Sequence, residues 1–133
     1  MAELKISDLS VGDLVLNKKG FPTKVQVITS EGNMRCGEDA KPEHSVHIWI
    51  TDVSPIPITP EILEKNGFRK NGKYNEWNIG EWNENPFIGV SLDRQSLRVR
   101  HFDNDIFIED KVLFVHQLQH ALRLAGVEKE IEV

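Results

Sequence analysis

The alternation of apolar and polar positions predicts a series of short strands in the first half of the chain. Residues 23–29 and 46–51 alternate between the two kinds of side chain, which is the period of a strand with one buried face. A short apolar run at 14–16 predicts another strand, and a further short strand is expected at 34–36 within a loop-like region. Residues 18–20 predict a hairpin turn, because the glycine at its end can adopt a positive φ. The first half is therefore expected to form antiparallel strands.

Two segments of the second half carry helical signals. Thr59 is a good N-cap, Pro60 suits the first helical position, and Gly67 is placed to end the helix in a left-handed conformation. A longer amphipathic helix is predicted from about Asp110 to Ala125, before Gly126. Its apolar residues form one stripe at helical spacing: Phe114, Val115, Leu118, Ala121, Leu122 and Ala125.

Between these helices the pattern returns to a period of two. Alternating segments at 88–92, 97–100 and 106–108 are separated by turn-rich residues at 93–95 and 103–105. Strands joined by short turns pair with their neighbours in sequence, so this region predicts an antiparallel meander.

The predicted fold class is therefore α+β, with short antiparallel strands, one short central helix and one C-terminal amphipathic helix. We expect a single domain over residues 1–133, with sub-parts at 1–58 and 59–133. The tail, residues 128–133, alternates weakly and is open between a final strand and a frayed end.

Composition is that of a globular protein, with 39% hydrophobic and 28% charged residues. The single cysteine, Cys36, excludes an intrachain disulfide and suits a reducing compartment. The first twenty residues lack the apolar stretch of a signal peptide, and the apolar runs at 48–50 and 112–115 are too short to cross a bilayer. These features predict a cytoplasmic protein without a membrane segment.

The net charge of −5 argues against a nucleic-acid partner, because nucleic-acid binders usually present a basic surface. Two small basic groups stand out, one at 18–19 and one formed by Arg94, Arg98 and Arg100. With Lys24, the first group supports nucleic-acid binding as an alternative function. Its residues are Lys18, Lys19 and Lys24.

The most unusual local composition lies at residues 74–85, where aromatic residues alternate with asparagines and the tripeptide Glu-Trp-Asn occurs twice. Flat rings beside amides suit contact with a sugar, a base or a peptide. In a regular strand Trp77 and Trp82 face opposite ways, but a turn at 78–80 would bring them together. The alternative is that the rings cover the edge of the core. The candidate contact residues are Tyr74, Trp77, Asn78, Trp82 and Asn83.

Two histidines, His116 and His120, have the spacing that points two imidazoles at one metal ion. The metalloprotease helix needs a glutamate where this chain has Gln117. At about 100° per residue both histidines lie opposite the apolar stripe, which predicts a solvated helix face rather than a metal site.

A second cluster joins His44 and His47 with Cys36 and two carboxylates, Glu38 and Asp39. It lacks the paired cysteines of a closed zinc site, so a polar loop followed by an outward-facing histidine is the simpler interpretation.

No phosphate-binding loop or nucleophile elbow appears in the sequence. The only sign of a nucleophile is Arg35, which would lower the pKa of the neighbouring Cys36. We therefore predict a protein that is not an enzyme and needs no cofactor, with a metal-dependent hydrolase as a further alternative. The leading hypothesis is an interaction module for a protein or a small molecule. It would act through a sheet edge, the Tyr74–Trp82 loop or self-association into a homo-oligomer.

Three motifs, at 8–15, 56–68 and 115–119, resemble a family of small proteins of unknown function from gut bacteria of the Bacteroides group and their phages and mobile elements. This resemblance implies an origin on a phage or mobile element, but it does not indicate an activity. Members carry asparagine after the Val-His-Gln-Leu-Gln run, where this chain has His120, and the difference argues against a two-histidine metal site. The N-terminal segment also resembles the opening strands of SH3-like barrels.

Overall fold

The computed structural model describes residues 4–29, 33–37, 46–71 and 75–133. These residues form two antiparallel sheets, one of four and one of five strands, together with two α-helices. The predicted α+β class is therefore confirmed. The chain divides into two compact units, Met1–Ile56 and Pro57–Val133. The single domain expected over residues 1–133 stays a prediction.

The first unit contains the four-stranded sheet, whose strands follow one another in the order β1-β2-β3-β4. Its strands are β1 (Leu14–Leu16), β2 (Pro22–Ile28), β3 (Asn33–Gly37) and β4 (Val46–Trp49). All four were predicted, but β4 is shorter than its apolar pattern, because a 3-10 turn takes over at Ile50–Asp52. Within the described residues the sheet does not close into a barrel. The SH3-like resemblance stays a prediction.

The turn between β1 and β2 is organised by Asn17. Its side-chain oxygen accepts the backbone N–H groups of Lys19, at 2.9 Å, and Phe21, at 3.0 Å. Gly20 adopts a φ of +83°, as the predicted hairpin turn required. The interior of this unit is formed by residues from the loops and the sheet, namely Leu9, Val15, Val25, Met34, Cys36 and Val53.

The second unit contains the five-stranded sheet, with the order β5-β6-β7-β8-β9. Its strands are β5 (Arg69–Asn71), β6 (Glu76–Ile79), β7 (Phe87–Ser91), β8 (Ser96–His101) and β9 (Asn104–Glu109). Every pair is antiparallel and sequential. The predicted meander is thus confirmed, and two more strands precede it.

Helix α1 (Pro60–Lys65) has the ends that its sequence predicts. The hydroxyl of Thr59 accepts the N–H of Ile62 at 3.3 Å. At the other end Gly67 has a φ of +86°, and the N–H of Phe68 donates to the carbonyl of Leu63 at 3.0 Å. This hydrogen bond is the one that closes a helix ending in a left-handed residue, and the Phe68 side chain is buried.

Helix α2 spans Val115–Leu124, so the predicted start near Asp110 was wrong by about one turn. The residues before the helix are held in extended pairing, since Ile58 donates its N–H to the carbonyl of Leu113 at 3.0 Å and Phe114 bridges to Pro57. Such pairing joins residues far apart in sequence, and no local pattern signals it.

The predicted apolar stripe of α2 is confirmed, because Leu118 and Leu122 are both buried. The helix packs against β8 and β9. The helix ends at Leu124, and Gly126, two residues later, has a φ of +77°.

The C-terminal tail is neither a strand nor frayed. The side chain of Asn66 donates to the carbonyl of Glu132 at 2.7 Å and accepts its N–H at 2.8 Å. Ile131 is buried, and Lys65 donates to the carbonyl of Val133 at 2.9 Å. These contacts hold the tail against the end of α1.

Candidate binding face

The five-stranded sheet has two faces of different character. Across β6 to β9, the register places Asn78, Gly89, Arg98 and Phe107 directly opposite one another. The adjacent row brings in Phe87 and Arg100 on the same side. Since side chains alternate along a strand, the apolar residues between them point to the other side, against α2. We call the first side the open face; it comprises Asn78, Phe87, Gly89, Arg98, Arg100 and Phe107, with Trp82 above them.

Trp82 lies in the segment between β6 and β7 and is 55% exposed. The guanidinium carbon of Arg100 lies 4.3 Å from the centre of its ring, and that of Arg98 lies 5.6 Å away. The ring of Phe87 meets Trp82 edge-on at 5.2 Å. Cation–π contacts and an edge-to-face ring pair therefore hold an exposed indole in position.

Arg98 connects Trp82 to the outer strand. Its guanidinium carbon lies 5.0 Å from the centre of the Phe107 ring, and Phe107 is 53% exposed. Its Nε lies 3.4 Å from Oδ1 of Asp105, but the pair does not have hydrogen-bond geometry. An ion pair of this exposure contributes at most about 1 kcal/mol. The rings of Trp82 and Phe107 thus orient the guanidinium of Arg98 on the open face.

A groove of about 320 Å³ lies on the open face, lined by Asn78, Trp82, Arg98 and Phe107 among others. Gly89 lies in its lining. A Cβ at this position would be 3.1 Å from the ring of Phe87 and 3.3 Å from Oδ1 of Asn78. The glycine therefore leaves room for both neighbours. The volume of the groove lies at the lower end of the range typical of small-molecule sites, roughly 300–1,000 Å³.

The structure divides the residues of the predicted aromatic segment. Trp82 and Asn78 line the groove, and Asn83 lines an adjoining hollow of about 270 Å³ with Trp82 and Arg100. Trp77 is only 5% exposed on the opposite side of the sheet, where its Nε1 donates to Asn75 at 3.1 Å. Tyr74 lies outside the described residues.

The turn expected at 78–80 does not bring the two tryptophans together, because β6 continues to Ile79 and only then turns at Gly80. The core interpretation therefore applies to Trp77, and the contact interpretation remains for Trp82.

Five residues of the open face were absent from the predicted contact set, namely Phe87, Gly89, Arg98, Arg100 and Phe107. The sequence marked the two arginines only as part of a small basic group. Their alternation with Leu97 and Val99 was the available signal, since it already put both on an outward side. Their meeting with Trp82 depends on strand register, which the local pattern does not contain.

The interpretation of His116 as part of a solvated helix face was wrong, because this side chain is only 5% exposed. Its ring stacks on Phe114 with centres 5.9 Å apart and meets His120 edge-on at 5.7 Å. The helix buries more than its apolar stripe, and Gln119 is buried as well. In the described parts of the chain, no group of three or more histidine, cysteine or carboxylate side chains is placed to hold a metal ion.

The second predicted cluster is described only in part, since His44, Glu38 and Asp39 lie outside the described residues. His47 is exposed on β4 and meets Trp49 edge-on at 5.6 Å. Cys36 is fully buried, and burial raises the pKa of its thiol to about 11. The expectation that Arg35 lowers this pKa was wrong, because desolvation is the dominant effect.

The lysines of the nucleic-acid alternative lie in the first unit. Lys18 and Lys19 are exposed in the turn between β1 and β2, and Lys24 is half-buried within β2. The turn also carries Phe21, which is 63% exposed.

No protein-family model, curated protein or solved structure matches this chain. None of the helices in the described residues has the length and apolar character needed to cross a bilayer. Any functional assignment therefore depends on the geometry of the chain itself.

Proposed function

We propose that this protein is a non-enzymatic binding module whose open face takes an anionic ligand that carries a planar ring, such as a nucleotide. The observation that supports it is the half-exposed Trp82, which contacts two arginines beside a groove. In the core such an indole would stabilise the fold; on the surface it is available to a ligand.

The chemistry of the groove favours both parts of this ligand. Trp82 and Phe107 offer ring surface on which a planar group stacks. Arg98 and Arg94 offer guanidinium groups, which match the geometry of phosphate and carboxylate. The lining also contains amide and hydroxyl groups that suit a sugar or the edge of a base, those of Asn78, Ser91 and Ser96. It includes one carboxylate, Glu76, against the two guanidinium groups.

The test is a calorimetric titration with adenosine 5′-monophosphate, with adenosine and with inorganic phosphate. We expect only the compound that combines ring and charge to bind measurably. The Trp82→Ala and Arg98→Ala variants should each weaken binding by about tenfold or more, since a stacked ring contributes about 1–3 kcal/mol.

Trp49→Ala is the matched control, because Trp49 is 51% exposed on the other sheet and should leave binding unchanged. Equal losses of binding affinity in the Trp49→Ala and Trp82→Ala variants would contradict the proposal. Inorganic phosphate that binds as tightly as the nucleotide would contradict it as well.

The nucleic-acid alternative has one supporting observation, the exposed Phe21 beside Lys18 and Lys19. An aromatic ring next to cations suits single-stranded nucleic acid. This SH3-like half should then bind a single-stranded oligonucleotide with an affinity that falls steeply with salt. Loss of binding in a Lys18→Glu, Lys19→Glu variant, but not in Trp82→Ala, would support this candidate over the open face.

We also propose that the chain belongs to the Bacteroides-group family that it resembles, acts in the cytoplasm and is encoded on a phage or mobile element. The motifs at 8–15, 56–68 and 115–119 support this proposal, and the buried Cys36 thiol is compatible with a reducing compartment. The neighbouring genes are the decisive observation, since phage or mobile-element genes on both sides are expected.

A further inference from the structure

Strand β9 is the longest edge strand in the described parts of the two sheets. It has six residues, whereas the other outer strands have three (β1), four (β4) and three (β5). Edge strands present unpaired backbone groups, and a long regular one is the best template for another strand.

The register identifies which backbone groups of β9 point outward. The N–H of Asp110 donates to the carbonyl of Gln95 at 3.1 Å, which marks that pair as hydrogen-bonded. In an antiparallel ladder such pairs alternate, so the even-numbered residues of β9 bond to β8. The backbone groups of Asp105, Phe107 and Glu109 therefore point away from the sheet, and no backbone partner for them is found among the described residues.

The usual protection of an edge is weak here. β9 contains no proline or lysine, and its register against β8 runs without a bulge through all six pairs. The edge of β1 shows the contrast, because Leu16 and Ser54 exchange backbone hydrogen bonds of 2.8 and 2.9 Å there. Among the described residues, the charged side chains that protect this edge of β9 are those of Asp105 and Glu109.

The same side chains define what a further strand should carry. Asp105, Phe107 and Glu109 lie on the open face, and residues of an added antiparallel strand would sit directly opposite them. Opposite charges across such pairs are favourable and like charges are unfavourable. A second copy of β9 centred on Phe107 would place Asp105 opposite Glu109 twice, which disfavours self-pairing.

We propose that β9 binds an extended segment of a partner protein by strand addition, and that this segment carries basic, apolar and basic residues at alternate positions. Backbone hydrogen bonds supply affinity, and the acid-aromatic-acid row selects the sequence. Asp105 already neighbours Arg98, so Glu109 contributes more to the selection. This site adjoins the proposed nucleotide groove and shares Phe107 with it, but Asp105 and Glu109 are not part of the groove lining.

The test uses a fluorescein-labelled peptide with Lys-Ile-Tyr-Ile-Lys at its centre and a second with Glu-Ile-Tyr-Ile-Glu, titrated with the full chain. We expect the basic peptide to bind about tenfold tighter. An Asp105→Lys, Glu109→Lys variant should reverse this order. A basic peptide N-methylated on the backbone groups that face β9 should not bind.

Two substitutions, Phe107→Pro and Phe107→Ala, separate the contribution of the backbone N–H to peptide binding from that of the side chain. Proline removes an outward N–H that the β8–β9 ladder does not use, so the fold should persist while peptide binding is lost. Alanine keeps the N–H and should weaken binding only a few fold. Trp82→Ala should leave peptide binding unchanged, so failure of the nucleotide proposal would not affect this one.

Equal binding of the two peptides, or unchanged binding by the N-methylated peptide, would overturn the proposal. A dimer in sedimentation that Phe107→Pro dissociates would overturn it as well, because a second copy would then be the occupant of the edge.

Discussion

The tripeptide Glu-Trp-Asn occurs twice within eight residues, and its two copies have different environments. Trp77 lies within β6, opposite Val90 of β7, and is buried. Trp82 lies beyond Gly80, outside the strand, and is half exposed above the open face. Identical neighbours in sequence therefore led to a core residue and a surface residue. The difference comes from where β6 ends, which decides whether the ring is paired into the sheet.

The largest expected effect is the stability difference between the two tryptophans. Trp77→Ala removes a buried ring and should lower the free energy of unfolding by about 3–5 kcal/mol. Trp82→Ala removes a half-exposed ring together with its cation–π and edge-to-face contacts and should lower it by about 1–2 kcal/mol. Urea unfolding followed by circular dichroism measures both. Similar losses of unfolding free energy in the two variants would contradict the assignment of Trp77 to the core and Trp82 to the surface.

Gly80 separates the two copies, and its replacement tests the turn. It has a φ of +77°, and a Cβ there would lie 2.7 Å from the carbonyl oxygen of Pro86. Gly80→Ala should therefore cost about 2–4 kcal/mol, from the left-handed backbone together with the collision.

Gly20→Ala is the matched control for this variant. Its φ is +83°, but a Cβ would meet nothing within 4 Å, so only the backbone cost of about 1–2 kcal/mol is expected. Equal costs at the two glycines would show that the approach of Pro86 does not matter.

A smaller effect is expected in the four-stranded sheet, where the buried thiol of Cys36 should make stability depend on pH. The pKa of Cys36 is raised from 9.0 to about 11 by burial, so in the unfolded chain the thiol loses its proton first. Since the folded state then binds more protons, the contribution of this thiol to stability should be constant below pH 9 and fall between pH 9 and 11. Urea midpoints across this range test it. A Cys36→Ser chain that keeps the same slope would assign the slope to other groups.

The smallest expected effect concerns how Trp82 is held. Arg100→Met keeps most of the side-chain volume and removes the cation 4.3 Å from the indole, which should cost about 0.5–1 kcal/mol. The indole of Trp82 should also become more mobile, as seen in its NMR relaxation. An unchanged indole would mean that Phe87 and Arg98 are sufficient to position it.

The local elements of this fold were predictable because their signals are local. The cap at Thr59, the left-handed residue at Gly67 and the turn at 18–20 each depend on φ preferences and on hydrogen bonds within a few residues. The start of α2 was not predictable, because residues 57 and 58 hold 113 and 114 extended from far away in sequence. The burial of His116 was missed for a related reason, since periodicity shows which side of a helix is apolar but not how much of the helix is covered.

By itself, the sequence determined the α+β class, the alternating strands and the buried stripe of α2, since burial of apolar side chains follows the period of each element. Only the tertiary structure decided that Trp82, Arg98, Arg100 and Phe107 share one face, because that depends on the register of four strands and on the turn that carries Trp82. It also decided that Trp77 belongs to the core. Register depends on pairings across the whole sheet, so no single segment contains it.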